Sequence, residues 1–229
     1  MNEWSVMKKS LSTIRGPSWV LWDLCVLWVL WVPWPALAGP KVLYQSDFAK
    51  AELNQVPGDF LVLDGDFAVK ESDGRKCLEL PGAPLDTFGV LFGPTTNAGV
   101  CVSARIYGTS KGRRAPSFGV GLNGVGGYKL KVSPGKNALE IYKGDVSAAS
   151  VPFDWKSGAS TMFRLRVRQV GGEAWKVEGK AWVQTGPEPK EWMISLDEKS
   201  PPHDGRPSIW GSPYSGTPIR FDDLVVMAE

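Results

Sequence analysis

The sequence has 229 residues, with 26 basic and 24 acidic side chains and a formal net charge of +2 at pH 7. A charge this close to zero gives no electrostatic basis for binding nucleic acid or an anionic membrane. The whole chain has 1 histidine, which excludes a metal site built from several imidazoles.

The first forty residues have the features of a secretory signal peptide. Basic side chains precede an apolar run, "LCVLWVLWV", and a small-residue site, "ALA", follows it. The run is about half as long as a membrane-spanning helix needs to be, which disfavours a retained membrane anchor. We therefore predict that residues 1–38 are a signal peptide and that 39–229 form a single domain that is secreted, periplasmic or at the cell surface.

From Lys41 onward, short segments of alternating apolar and polar residues are separated by Gly, Pro, Asn and Asp, and no helical period is visible. The predicted strands are "KVLYQSDF", "DFLVLD", "DFAVKE", "KCLELP", "FGVLFG", "VCVSARIYG", "PSFGVGLN", "YKLKVS", "ALEIYKG", "STMFRLRVRQ", "AWKVEGKAWVQ", "EWMISLD", "PSIWGS" and "IRFDDLVVMA". So many short strands predict an all-β fold, an antiparallel β-sandwich of two sheets with the jelly-roll arrangement.

Two cysteines fall within the predicted domain, Cys77 in "RKCLEL" and Cys101 in "GVCVSARIY". Because side chains alternate along a strand, both thiols are expected on the polar faces of their strands. In an oxidising compartment this predicts a disulfide between them, worth about 3 kcal/mol through loop-closure entropy. Two unbridged thiols are the alternative.

Motifs that often indicate catalysis lack the surroundings that their chemistry needs. "GVGLNG" has the glycine spacing of a dinucleotide site, but a predicted strand follows where a helix N-terminus should hold the pyrophosphate. His203 lies in a Pro-rich loop, and no nucleophile signature accompanies it. The close acid pairs, Asp64 with Asp66 and Glu71 with Asp73, flank turn glycines. The sequence therefore predicts no catalytic residue.

The segment "FRLRVRQVGGEAWKVEGKAWV" predicts a hairpin with one apolar and one polar face. The polar face supplies a candidate glycan-binding site, formed by Arg164, Arg166, Lys180 and Trp182. Stacking on an indole combined with hydrogen bonds from cationic groups is one way to hold an anionic sugar. Alternatively, Trp182 packs on Trp192 or Arg166 without any ligand.

The order of elements resembles the concanavalin A-like lectin and glucanase superfamily, which includes laminin-G-like jelly rolls and bacterial exported 3-keto-disaccharide hydrolase-like domains. The likeness is carried by "GKAWVQTGPEPKEWMISL" followed by "IWGSPYSGTPIRFDDLVV" and spans about residues 41–229. Laminarinase-type members carry E-x-D-x-x-E on their catalytic strand. The nearest approach here, "LEIYKGD", places Tyr142 and Asp145 after Glu140 and lacks that motif, so the resemblance implies the fold but no catalytic residue.

The same resemblance implies a structural calcium ion. In many members of the superfamily this ion joins the first strand to the last through an aspartate early in the last strand. Asp222 is at the matching position, and Asp47 in "YQSDF" could add a second carboxylate of the kind that calcium prefers. Alternatively, one acid of the pair Asp222 and Asp223 caps a backbone amide while the other is solvated.

Together these features predict an exported, non-catalytic module that binds a glycan or acts at the cell surface. The alternative is a glycan-active enzyme, a glucanase-like or 3-keto-disaccharide hydrolase-like glycoside hydrolase whose acids come from distant strands. A structural envelope protein that binds no glycan is the third hypothesis. Nucleic acid is not a predicted partner, and no membrane contact is expected beyond the signal peptide.

Overall fold

The computed structural model of the protein describes residues 41–83, 86–97, 99–213 and 216–229. The predicted signal peptide, residues 1–38, lies outside them. The regular secondary structure of the described chain is strand apart from one short 3-10 turn at Pro134–Lys136. Nothing in the described ranges is a helix of the length and apolar character that crossing a membrane requires.

Fifteen strands are described. They are β1 Val42–Ser46, β2 Leu61–Asp64, β3 Ala68–Ser72, β4 Arg75–Leu80, β5 Phe88–Leu91, β6 Val100–Tyr107, β7 Ser117–Leu122, β8 Tyr128–Ser133, β9 Ala138–Lys143, β10 Val146–Pro152, β11 Thr161–Gly171, β12 Ala174–Val183, β13 Ile194–Glu198, β14 Ser208–Ser212 and β15 Ile219–Ala228.

The strands form two antiparallel sheets. Sheet A has the order β13-β12-β11-β6-β15-β4-β3, and β1 also pairs with β15. Sheet B has the order β10-β9-β8-β7-β14-β5-β2. The two sheets confirm the predicted all-β antiparallel sandwich. The last strand, β15, lies inside sheet A, with β6 on one side and β4 and β1 on the other.

The core lies between the sheets and follows the predicted alternation. On β11, Phe163, Leu165 and Val167 are fully buried, whereas the arginines between them point away from the core. The Phe163 ring packs edge-on against Phe118 of β7, with centroids 5.9 Å apart. This contact joins the two sheets, and such aromatic pairs add to the free energy gained from burial.

The strand that the sequence does not predict is β10, with the sequence VSAASVP. Ala and Ser have low strand propensity. The strand is also at the edge of sheet B, where most of its residues are exposed. An exposed edge strand does not need an apolar face, so the alternation that marks the other strands is missing here.

The outer faces of the two sheets differ in their charge. The outer face of sheet A carries arginines paired with acids, chiefly on β4, β6, β15, β11 and β12. The outer face of sheet B carries lysines and aromatic rings, with Trp210 of β14 lying across Gly89 and Gly121. A Cβ atom at Gly89 would come within 2.6 Å of this indole, so the glycine allows the ring to lie flat on the sheet.

Candidate functional site

The outward side chains of β11 and β12, the hairpin surface, include the predicted glycan-binding residues. The structure brings Arg164, Arg166 and Lys180 onto one face, where each pairs with a carboxylate of the chain itself. Lys180 Nζ also donates to the Pro189 carbonyl at 2.8 Å. Trp182 is half-buried and has no recorded ion or ring contact with the other described residues. The glycan-binding site on this surface remains a prediction. The ion pairs within the chain already neutralise its three cations, which weakens their attraction for an anionic ligand.

The aromatic partner of these cations is Trp192, from the segment between β12 and β13. The Arg166 guanidinium carbon lies 4.2 Å from the Trp192 ring centroid, and Lys180 Nζ lies 4.8 Å from it. Packing of an indole against two cations stabilises the fold without a ligand. The sequence alternative had Trp182 packing on Trp192 or Arg166, whereas the ring that packs on Arg166 is Trp192.

The two acids of "TPIRFDDLVVMA" lie at a β-bulge in β15, where the register with β6 shifts between Asp222 and Val225. Asp223 has φ +50°, a conformation that aspartate tolerates better than most residues. Its backbone N–H donates to Asp222 Oδ1 at 2.7 Å. The bulge directs both carboxylates onto the outer face of sheet A.

There the acids meet two arginines, and Arg75, Arg105 and Asp222 line a cleft of about 350 Å³, the arginine–aspartate cleft. Arg75 Nη2 lies 3.3 Å from Asp222 Oδ2 and 3.0 Å from Asp223 Oδ1. Arg105 donates through Nε to Asp223 at 2.8 Å and contacts Asp222 through Nη2. Burial raises the pKa of the Asp222 carboxyl, although both guanidinium groups favour its ionised form. The charges of Arg75, Arg105, Asp222 and Asp223 are therefore paired with one another.

These contacts do not favour the predicted calcium site at Asp222 and Asp47. Asp222 faces guanidinium groups where calcium would need further oxygen ligands. Asp47 accepts a hydrogen bond from the backbone N–H of Ala49 at 3.0 Å, as a turn-forming aspartate does. Across the described ranges there is no group of three or more His, Cys, Asp or Glu side chains that could hold a metal ion.

The predicted disulfide between Cys77 and Cys101 is not formed, and both thiols are free and buried. Their strands, β4 and β6, lie on opposite sides of β15. Two strand spacings amount to about 10 Å, which exceeds the roughly 7 Å limit between bridged Cα atoms. The alternation gave the outward direction of the thiols, but it contains no information on which strands are neighbours.

Both thiols should react slowly with iodoacetamide in the folded protein. Burial raises the pKa of Cys77 to about 11 and that of Cys101 to about 12. At pH 8 the reactive thiolate is then about a hundredfold rarer for Cys77, and about a thousandfold rarer for Cys101, than for an ordinary cysteine. Mass spectrometry of the two peptides should show slow labelling in buffer and complete labelling in urea without reductant. If the two peptides stay linked until a reductant is added, the predicted disulfide is present after all.

A second cleft, the lysine–tyrosine cleft, lies on the outer face of sheet B and has a volume of about 360 Å³. It is lined by Thr87, Lys129, Lys131, Tyr142, Gly144 and Asp145. Neighbouring strands β8 and β9 supply its centre, because Lys129 lies opposite Tyr142 and Lys131 opposite Glu140 in their pairing. Lys131 Nζ lies 5.2 Å from the centroid of the half-exposed Tyr142 ring.

Below this surface, Lys129 is buried and its Nζ has two contacts. It lies 4.1 Å from the Trp210 ring centroid, and it pairs with Asp145 Oδ1 at 3.0 Å. The Trp210 Nε1–H donates to the Ser208 hydroxyl at 2.8 Å. The indole is buried by these groups and supports the cleft from below. The exposed ring available for stacking is therefore that of Tyr142.

Glu140, next to this cleft, is a structural anion. Its buried carboxylate accepts hydrogen bonds from Ser133, Lys136, Tyr142 and Ser147. Burial raises the pKa of this carboxyl, but the four donors outweigh that effect and hold it below its usual value. A carboxylate held ionised in this way does not serve as a general acid. The absence of the E-x-D-x-x-E motif from "LEIYKGD" agrees with this role.

Sequence reasoning did not propose Lys129, Lys131 and Tyr142 as site residues. The signal was present, because alternation in "YKLKVS" and "ALEIYKG" puts these side chains on one face of two strands joined by a short turn. Trp210 could not be placed from the sequence, because its position depends on the glycines of two other strands.

No protein-family model and no curated protein sequence matches the chain. Solved structures do match it. The carbohydrate-binding module CBM66 of Bacillus subtilis has 9% identity and a TM-score of 0.52, over 74% of this chain and 96% of the module. The potassium-bound Emp46p carbohydrate recognition domain has 10% identity and a TM-score of 0.52, over 81% and 95%. A Mycobacterium abscessus protein assigned as a β-glucanase has 12% identity and a TM-score of 0.51, over 81% and 99%.

At these identities the likeness shows the fold alone. It confirms the concanavalin A-like sandwich that the sequence resemblance implied, and a Bacillus subtilis protein with a galectin-like fold matches equally well. The Emp46p domain matches in its potassium-bound and its metal-free forms. The likeness therefore does not bear on whether this chain binds a metal.

Proposed function

We propose that the protein is an exported carbohydrate-binding module and that the lysine–tyrosine cleft is its sugar-binding surface. The observation that carries this proposal is the grouping of a half-exposed aromatic ring, two ammonium groups and a hydroxyl in one open cleft. Sugars present apolar C–H faces and rings of hydroxyl groups, so a binding surface needs an aromatic face and several polar groups around it.

The arrangement of Tyr142 suits this task. Its ring is held by a hydrogen bond from its hydroxyl to Glu140 Oε2 at 3.0 Å, so little side-chain entropy is lost when a sugar stacks on it. Lys129, Lys131 and Thr87 surround the ring with hydrogen-bond donors. The fold shared with carbohydrate-binding and carbohydrate recognition domains supports the proposal. Calcium is not part of it.

A glycan array with the full-length chain tests this function, followed by calorimetry of the best ligand. Replacing Tyr142 with alanine should weaken binding about tenfold, because a ring contact and a hydrogen bond together contribute about 1.4 kcal/mol. Tyr107→Ala is the matched control, since Tyr107 lines the arginine–aspartate cleft on the other sheet. No binding on the array, or equal loss in both variants, would refute the assignment.

A glycoside hydrolase is the second candidate function, supported by the carboxylate of Asp222 in the arginine–aspartate cleft and that of Asp223 beside it. One guanidinium nitrogen, Arg75 Nη2, contacts both Asp222 and Asp223, so the two acids lie close together, as hydrolysis requires. The neighbour assigned as a β-glucanase shares the fold. A hydrolase would release reducing ends from the glycans that bind, and Asp223→Asn would abolish that release. If glycans bind but no reducing ends are released, the protein is a non-catalytic binding module.

A further inference from the structure

We infer that the ligand of the lysine–tyrosine cleft is an anionic sugar, one that bears a carboxylate or sulfate group, and that Asp145 occupies the position of that group until the ligand binds. This inference rests on the proposed function and adds the chemical class of the ligand. It depends on how the two lysines of the cleft are paired.

Lys131 is a half-buried cation that lines the cleft. Burial lowers the pKa of its ammonium group and the neighbouring Lys129 lowers it further, against the opposing charges of Glu140 and Asp145. The ammonium group lies over the Tyr142 ring, and no acid of the described residues forms an ion pair with it. A poorly solvated cation at a cleft wall gains most from a ligand that carries negative charge.

Glu140 forms no ion pair with Lys131, although it is the residue directly opposite on β9 and its charge favours the ammonium form of that lysine. Its oxygens accept hydrogen bonds from Ser133, Lys136, Tyr142 and Ser147 instead. The result is an acid and a lysine on paired strands that do not bond to each other. The positive charge of Lys131 therefore remains available at the surface.

The partner of Lys129 is unusual in its exposure. Lys129 has a side chain only 6% exposed, yet it pairs with Asp145, whose side chain is 98% exposed. Asp145 lies in the turn between β9 and β10, and the hydrogen bond and charge of Lys129, with a smaller effect from the charge of Lys131, lower the pKa of its carboxyl. A fully hydrated carboxylate on a turn gains little from such a pair. A carboxylate or sulfate on a bound sugar can therefore replace it.

The outer face of sheet A shows the contrast. Its partly buried arginine, Arg105, pairs with the buried Asp222 and also with the partly exposed Asp223, so two carboxylates of the chain hold it. On sheet B the buried Lys129 has one exposed partner, and the half-buried Lys131 has no ion pair with a described residue. Of the two clefts, the lysine–tyrosine cleft is thus the one with positive charge to offer a ligand.

Calorimetry with the full-length chain and four matched ligands tests the inference. The ligands are trigalacturonic acid, neutral galactotriose, and a sulfated and an unsulfated galactan oligosaccharide. We expect at least one acidic ligand to bind tenfold or more tightly than its neutral counterpart, with an affinity that falls as salt is added. Whichever acidic sugar shows the larger preference over its neutral counterpart tells whether the cleft recognises a carboxylate or a sulfate group.

Three substitutions then assign the charge. Lys131→Gln should remove the preference for the acidic ligand, and Asp145→Asn should strengthen acidic binding severalfold by removing the competing carboxylate. Lys143→Gln is the control, because it removes the same charge from β9 but pairs with Glu198 outside the cleft. Lys143→Gln should change neither the affinity for the acidic ligand nor that for its neutral counterpart.

The outcomes separate this inference from the proposed function. If neither the neutral nor the acidic sugars bind, the sugar-binding assignment fails. If both bind equally, or if Asp145→Asn weakens acidic binding, the charge inference alone is overturned. Should Lys131→Gln fail to fold, as judged by circular dichroism, the Asp145→Asn result decides, because that exposed turn position does not support the core.

Discussion

Replacing Arg105 with methionine is expected to lower the free energy of unfolding at pH 7 by about 3 kcal/mol. The substitution keeps most of the apolar stem but leaves Asp222, with a side chain 6% exposed, without its buried partner. An uncompensated buried carboxylate is costly because little water reaches it. For a domain of this size the melting temperature should fall by about 6–12 °C.

The loss should shrink as the pH is lowered from 7 to 4. In the wild-type protein burial already raises the pKa of Asp222, and removing Arg105 raises it further. A group whose pKa is raised by folding favours the folded state at low pH, where it is protonated, and destabilises it as the pH rises through that pKa. Thermal unfolding at both pH values measures this difference.

Arg75→Met is the matched control for Arg105→Met. Arg75 contacts the same two aspartates, but its side chain is 54% exposed, against 16% for Arg105. Because exposed ion pairs contribute little, this variant should lose less than about 1 kcal/mol. Equal losses in the two variants would show that burial does not set the strength of this network.

Replacing Phe163 with alanine is expected to reduce the free energy of unfolding by about 3–5 kcal/mol. The Phe163 ring is fully buried and contacts the Phe118 ring, which in turn packs on Trp155 at 5.8 Å. Removing it opens a cavity between the two sheets, and the neighbouring strands cannot close that cavity without losing their pairing. Urea unfolding followed by tryptophan fluorescence measures the loss.

Met162→Ala, one residue earlier on β11, provides the comparison. Met162 points away from the core and is partly exposed, so its truncation should cost less than about 1 kcal/mol. A large loss in Met162→Ala with a small loss in Phe163→Ala would mean that the two faces of β11 are assigned the wrong way round, because a one-residue slip exchanges the faces of a strand.

The fold could be predicted because its evidence is local. Period-2 alternation in segments such as "FRLRVRQ" fixes which side chains enter the core, and turn residues fix where strands end. The structure confirms Phe163, Leu165 and Val167 as core residues on this basis. Strand β10 was missed because an exposed edge strand carries no such alternation.

The candidate site could not be predicted in the same way, because it depends on which strands are neighbours. The insertion of β15 between β4 and β6 separates Cys77 from Cys101 and brings Asp222 to Arg105. Neither the separation of the two cysteines nor the contact between Asp222 and Arg105 can be read from the local alternation of residues. Likewise, the free charge of Lys131 arises because Glu140 is held by groups from other positions, and not from the residue types alone.

The most direct test of the proposed function is a crystal structure of the protein soaked with the tightest-binding acidic oligosaccharide. We predict a sugar ring stacked on Tyr142, with its anionic group within hydrogen-bonding distance of Lys131 and Lys129 and the Asp145 carboxylate displaced. A sugar bound only on the outer face of sheet A, against Arg75 or Trp182, would contradict it.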